Sequence, residues 1–309
     1  MTHLYYDDVF LEHDTGSHPE RAVRLQRITE LLNSTGLASR CQRQACPPIS
    51  AERLACVHSS EYSDYVRQFA EKGGGQIEAD TLVSPKSHDA ATHATGAVCD
   101  AALRVMDNED KRALCLVRPP GHHALPDGPM GFCLFNSIAV AARTAVRELD
   151  LDSVLIVDWD VHHGNGTQDT FWEDPQVGFF SAHRFPFYPG TGNHNETGSG
   201  AGAGTTFNLP IEYGTPRQDY QSLFTMSLEQ FAAKIKPQLV LISAGFDAHR
   251  LDPVGSLDLE VEDFVTLTRT LIEIAEQYSG GRIVSVLEGG YEPDILAESV
   301  AAHLTQLLE

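Results

Sequence analysis

The chain has 309 residues, 42% hydrophobic and 21% charged, enough to build a large core around one α/β sheet in a single domain over 1–309. Acidic residues outnumber basic ones 43 to 22, and the resulting charge of -21 repels a phosphate backbone and argues against direct nucleic-acid binding. No apolar run reaches the ~18 residues of a membrane span, no secretion signal opens the chain, and the six cysteines form no CxxC pair, so a cytoplasmic protein with reduced thiols is expected.

In chain order, the first predicted element is a helix over 19–34, with Pro19 of His18-Pro19-Glu20 in its opening turn, where a missing N–H costs little. Helices over 59–71 and 90–106 follow, then a strand at 113–117 and a helix at 136–149. Strands at 154–160 and 177–181 come next, then an irregular glycine-rich stretch, 185–206, of a length that suits either a functional or a flexible surface loop. The remainder alternates: strand 207–210, helix 219–236, strand 239–244, helix 260–278, strand 283–287 and helix 293–308. Several strands are almost continuously apolar, as strands covered on both faces are. The alternation predicts an α/β fold with a largely parallel sheet.

Five strands run directly into chemistry. Their sequels are Arg118-Pro119-Pro120-Gly121-His122-His123, Asp158-Trp159-Asp160-Val161-His162, Ser181-Ala182-His183, Gly245-Phe246-Asp247 and Glu288-Gly289-Gly290-Tyr291. In open parallel sheets, ligands sit outside the carboxyl ends of the strands, so titratable groups collected there are hard to assign to packing. In an extended chain Asp158, Asp160 and His162 share one face; taken alone, Asp158 also reads as a turn cap and His162 as a core histidine. Asp247, by itself a plausible helix cap, completes three ligands and leaves a position open, the layout of a catalytic metal site. Two carboxylates and an imidazole suit zinc, Mn(II), Fe(II) or Co(II). His122 and His123 are candidates for general acid and base, with Asp158 and Asn165 as partners that fix their tautomers. The Tyr291 hydroxyl is a candidate donor to a developing oxyanion.

Assembled, these segments resemble the histone deacetylase superfamily, in particular its class II branch. The matching strings are RPPGHHA at 118–124, GFCLFNS at 131–137, DWDVHHGNGTQ at 158–168, YPGTG at 188–192, AGFDA at 244–248 and EGGY at 288–291. The resemblance covers essentially the whole chain. It implies an arginase–deacetylase fold: a single eight-stranded, mostly parallel sheet flanked by helices. It also implies zinc (with Fe(II) or Co(II) as alternatives) at Asp160, His162 and Asp247, His123 as the base, His122 as its electrostatic and acid partner, and Tyr291 as the transition-state tyrosine. Gly131, Phe132 and Tyr188 match the walls of a tunnel for an acyl-lysine side chain, and Asp80 aligns loosely with a substrate-backbone anchor. A structural potassium ion would map to Asp158, Ser181 and the carbonyls of Asp160, His162 and Ala182, and a second to the region of Phe171, Asp174 and Val177.

Three departures refine the resemblance. Asn165 stands where class I members carry aspartate, a change that class II shares. Tyr188 replaces the common phenylalanine at the tunnel wall. Val254 occupies the position of the glutamate gatekeeper of a polyamine-selective branch, which weakens that reading. The expected activity is hydrolysis of N-ε-acetyl-lysine, with small acylated amines such as acetylpolyamines as alternative substrates. An arginase-type dimanganese centre is disfavoured because position 249 is His, not a second aspartate. A non-catalytic acyl-lysine binder is disfavoured because no site residue has been lost.

Overall fold

A computed structural model describes residues 1–107 and 110–309. Its strands are β1 (Thr2–Tyr5), β2 (Cys41–Gln44), β3 (Gly75–Gln76), β4 (Leu82–Val83), β5 (Arg112–Cys115), β6 (Val154–Asp158), β7 (Val177–Arg184), β8 (Thr206–Ile211), β9 (Leu239–Ala244) and β10 (Ile283–Leu287). The helices are α1 (Val23–Ser34), α2 (Ala51–Leu54), α3 (Ser60–Glu71), α4 (Ser87–Asp107), α5 (Ser137–Leu149), α6 (Asn165–Phe171), α7 (Arg217–Ile235), α8 (Val261–Tyr278) and α9 (Pro293–Leu307). Eight strands form one sheet in the order β2-β1-β5-β10-β9-β6-β7-β8, and every neighbouring pair in it is parallel. β3 and β4 form a separate antiparallel pair.

The almost continuously apolar segments β6, β9 and β10 are buried along their whole length at the middle of the sheet. Helices cover the sheet, with α4 packed on α5, and α1, α9, α8 and α7 packed in succession. Local chemistry sets their ends. Ser59 caps α3 by accepting from Tyr62 N, Asn136 caps α5 by accepting from Ala139 N, and Glu260 and Asp263 form a capping box on α8. Among the described residues, no helix is long and apolar enough to cross a membrane.

Tertiary contacts move several predicted boundaries. The helix expected from 19 begins only at Val23. Pro19 and Glu20 stay outside it because the Glu20 carboxylate turns inward to Arg118 and Arg24, and its carbonyl accepts from Thr15 Oγ1. The strand expected through 160 ends at Asp158, whose Oδ1 accepts the N–H of Asp160 at 3.0 Å and turns the chain. β7 runs on to Arg184 because β8 pairs with it as far as Ile211. β1 and β2 were not expected: they are four residues each, and β2, at the sheet edge, is the apolar-poor string CQRQ. The glycine-rich stretch is pinned by Glu196, whose carboxylate accepts from Gly192 N, Asn193 N and Gln168 Nε2.

Candidate metal centre and tunnel

The segments after β5, β6, β9 and β10 converge at the carboxyl edge of the sheet. Beyond β6, Asp158 Oδ1 accepts from Asp160 N at 3.0 Å, and Asp160 Oδ1 accepts from His162 N at 2.9 Å. Two successive side-chain-to-backbone turns therefore replace the extended face expected through 158–162. Asp158 points to His122, while Asp160 and His162 meet Asp247. Asp247 Oδ1 accepts from Val161 N at 3.0 Å, which leaves Oδ2 3.1 Å from His162 Nδ1, and Asp160 Oδ1 lies 3.0 Å from the same nitrogen.

The three residues are buried, and one ligand atom from each lies within 4.8 Å of the others. An ion with bonds of ~2.0–2.2 Å in a tetrahedral site separates its ligands by about 3.3 Å, close to these spacings. The site's electrostatics also favour a cation. Burial opposes charge on His162, yet Asp160 and Asp247 overcome it and lift the imidazole to about 10, while burial and the neighbouring Asp160 push Asp247 up. The donor set fits a divalent ion. Gly289 closes over it: a Cβ there would lie 2.3 Å from Asp247 Oδ2 and 2.5 Å from Asp160 Oδ2, so only glycine brings its N–H to Asp160 at 2.9 Å.

His122 and His123 stand beside this group with ring centroids 4.0 Å apart. His122 Nδ1 is 2.9 Å from Asp158 Oδ2, and His123 Nδ1 is 2.7 Å from Asn165 Oδ1. The different partners split the pair. Burial pulls both down, but the carboxylates of Asp158 and Asp160 raise His122 to about 10. His123 has an amide partner and the positive His122 and His162 beside it, and stays well below the ordinary imidazole value. Asp158 and Asn165 thus each face the Nδ1 atom of one ring.

A cavity of about 240 Å³ leads to this group, lined by Asp80, His123, Gly131, Phe132, His162, Phe187, Tyr188, Val254 and Tyr291. Gly131, Phe132, Tyr188, Val254 and Asp80, singled out in the sequence, all lie on its wall. Phe132 and Tyr291 meet edge-on at 5.7 Å, and Tyr188 packs edge-on against His123 at 5.4 Å. Gly131 must be glycine, since a Cβ would come 2.3 Å from the His123 ring and its φ is +57°. Asp80 accepts from Gly131 N at 3.1 Å and so braces the wall itself. Burial, reinforced by Asp247, pushes the Tyr291 phenol well up, which keeps it protonated.

Ser181 and Ala182, assigned by resemblance to a monovalent cation, lie buried on β7 away from the cavity, with Ser181 the register partner of Asp158. Ser181 Oγ is 2.9 Å from His183 Nδ1. At the second such region, the Asp174 carboxylate pairs with Arg143 and its carbonyl accepts from Thr205 Oγ1.

Phe187 and Arg24, which no motif singled out, and Glu288 of the EGGY string support the site. Phe187 stacks on His162 at 5.2 Å and 17°, with the Arg184 guanidinium 4.1 Å from its ring centroid. Glu288 Oε2 accepts from Gly121 N at 2.7 Å and His122 N at 3.2 Å, fixing the loop of the histidine pair. Arg24, fully buried, donates to the carbonyls of Glu288 and Gly290 at 2.5 Å each. Its i,i+4 spacing from Glu20 was visible, but such pairs usually mark an exposed helix face.

Comparison with known proteins gives this geometry a lineage. The family model for the histone deacetylase domain matches residues 18–307. The chain is 38% identical to "Histone deacetylase 10, chloroplastic" of Oryza sativa subsp. japonica, over 96% of this chain and 71% of that protein. It is 36% identical to a "Probable deacetylase" of Archaeoglobus fulgidus, over 94% of this chain and 81% of that one. A crystal structure of the HDA15 HD domain superposes with a TM-score of 0.92 at 36% identity, covering 99% of this chain and 89% of that one. Sequence and fold agree over nearly the whole length, and the chain belongs to the histone deacetylase family.

Proposed function

We propose that this chain is a zinc-dependent deacylase whose substrate is an N-ε-acyl-lysine, most simply acetyl-lysine in a peptide or protein. The observation that carries the reading is the Asp160–His162–Asp247 group at a cavity walled by Phe132, Phe187, Tyr188 and Val254. An aromatic and aliphatic sleeve suits a four-carbon lysine stem and excludes water from the amide. Val254, apolar at the wall, offers no charge to the second ammonium of an acetylpolyamine, which favours acyl-lysine over that alternative.

Asp160, His162 and Asp247 would hold a divalent ion, which would supply Lewis acidity to water and to the scissile carbonyl. His123, whose Nδ1–H donates a hydrogen bond to Asn165 Oδ1, presents Nε2 to take a proton from the attacking water. His122, charged beside Asp158, stabilises the growing negative charge and serves the leaving amine as acid. Tyr291, held protonated, donates a hydrogen bond to the oxyanion. Asp158, Ser181 and the Ala182 carbonyl would hold a potassium ion, which would offset part of the negative charge behind His122.

The test is metal content by elemental analysis, with turnover of acetyl-lysine peptides, longer acyl-lysines and acetylpolyamines, and Tyr291→Phe alongside. Zinc-dependent release of acetate, with exposure of the lysine ε-amine in the peptide, that Tyr291→Phe reduces by about 10²–10³-fold is expected. A metal-loaded protein inactive on every acylated amine offered would overturn the reading, and preference for acetylpolyamines would replace its substrate.

A further inference from the structure

The peptide unit between Gly290 and Tyr291 is gripped at both ends by charged side chains from distant parts of the chain. Arg24 Nε donates to the Gly290 carbonyl at 2.5 Å, and Asp252 Oδ2 accepts the N–H of Tyr291 at 2.6 Å. Gly290 has φ +118°, a conformation in which its own backbone imposes little, so the orientation of the following peptide plane must be set from outside. The second oxygen of Asp252 accepts the N–H groups of Val254 and Gly255, each at 2.9 Å. Val254 lines the cavity with Tyr291. One carboxylate therefore ties the cavity-wall loop to the backbone that carries the phenol.

We propose that Asp252 is a positioning residue: it fixes the peptide plane ahead of Tyr291 and couples the Val254 wall to the placement of the phenol. The proposal rests on the deacylase reading of Tyr291. Asp252→Asn cannot serve both sets of N–H donors, because one of its two polar ends is itself a donor. Displacing a catalytic group slightly costs turnover more than binding, so kcat on an acetyl-lysine peptide should fall about 10- to 100-fold while KM stays within about two-fold. Zinc content and Tm should be close to wild type.

The discriminating experiment is a double-mutant cycle. If Asp252 acts through Tyr291, Asp252→Asn should add less than about two-fold to the loss in a Tyr291→Phe background. Equal losses in both backgrounds, or no loss of kcat in the folded single variant, overturn the proposal. A readout independent of turnover is the ring signal of Tyr291 in protein labelled with carbon-13 tyrosine and assigned with Tyr291→Phe. That signal should shift or broaden in Asp252→Asn, and an unmoved signal overturns the proposal even if no acylated amine is a substrate. Asp252→Ser keeps a short acceptor for Val254 and Gly255 but cannot span to Tyr291. Failure of both variants to fold assigns Asp252 to loop stability and also overturns the proposal.

Discussion

His123 donates its Nδ1 proton to the side-chain oxygen of Asn165 across 2.7 Å, while His122 faces a carboxylate at 2.9 Å. One ring of the pair is therefore held neutral and the other charged by partners of different charge. Asn165→Asp removes the difference. A carboxylate beside His123 favours its protonated form and raises its pKa by roughly one unit or more. The base is active only when neutral, so the acid limb of the kcat/KM profile should move to higher pH by a similar amount. An unmoved limb would take His123 out of the base role.

Asp247→Asn should separate metal binding from folding. It removes one of two carboxylates that lie 3.0 and 3.1 Å from His162 Nδ1, and bound zinc should drop to a small fraction of wild type with loss of turnover. In the wild type, dialysis against a chelator should abolish turnover and lower Tm, because the ion binds only the folded ligand set. Adding back zinc or cobalt should restore both; turnover that persists in metal-free protein would exclude the site from catalysis.

Among the described residues, Glu20 is the sole carboxylate touching two buried arginines. It meets Arg118 through Nε and Nη2 and Arg24 through Nη1, with His13 Nε2 at 3.4 Å. Although burial opposes its charge, the Arg118 guanidinium holds its carboxyl well below the usual range. Glu20→Gln keeps the shape and removes the charge, leaving two guanidiniums uncompensated, at a cost of about 3–5 kcal/mol. Urea unfolding at pH 7 checks the loss. Because Arg24 also holds the Gly290 carbonyl, turnover should fall in the fraction that remains folded.

His58 makes stability depend on acid. Its Nδ1 faces the Pro126 carbonyl at 3.2 Å, its Nε2 accepts from Asn136 N at 2.8 Å, and burial lowers it to about 4. With the folded value below the unfolded one, the unfolded chain takes the proton first. Stability from this site is constant above about pH 6.5 and declines as pH falls toward 4, by about 2 kcal/mol at pH 5. His58→Gln can preserve both hydrogen bonds without titrating. Denaturation at pH 7 and pH 5 should show a smaller drop for the variant by about that amount, with His183 and His303, also held low by burial, among the groups that contribute to the remaining slope.

The sequence by itself determined the class of fold and where its chemistry collects. Short, almost continuously apolar segments such as 239–244 and 283–287, alternating with longer amphipathic stretches, read as covered strands, and they match β9 and β10 without adjustment. Polar groups at the ends of such strands must share one sheet edge, which made Asp160, His162, Asp247, the histidine pair and Tyr291 legible before any coordinates. Tertiary structure decided what depends on partners remote in the chain. β2 has no pattern of its own and exists because β1 offers it an edge. Asp158 and Asp160 curl the chain where alternation suggested extension, since each carboxylate bonds a backbone N–H two residues on. Arg24, Asp252 and Phe187 gain their places only when segments hundreds or tens of residues apart meet, because an isolated charge or ring carries no mark of the group it will touch.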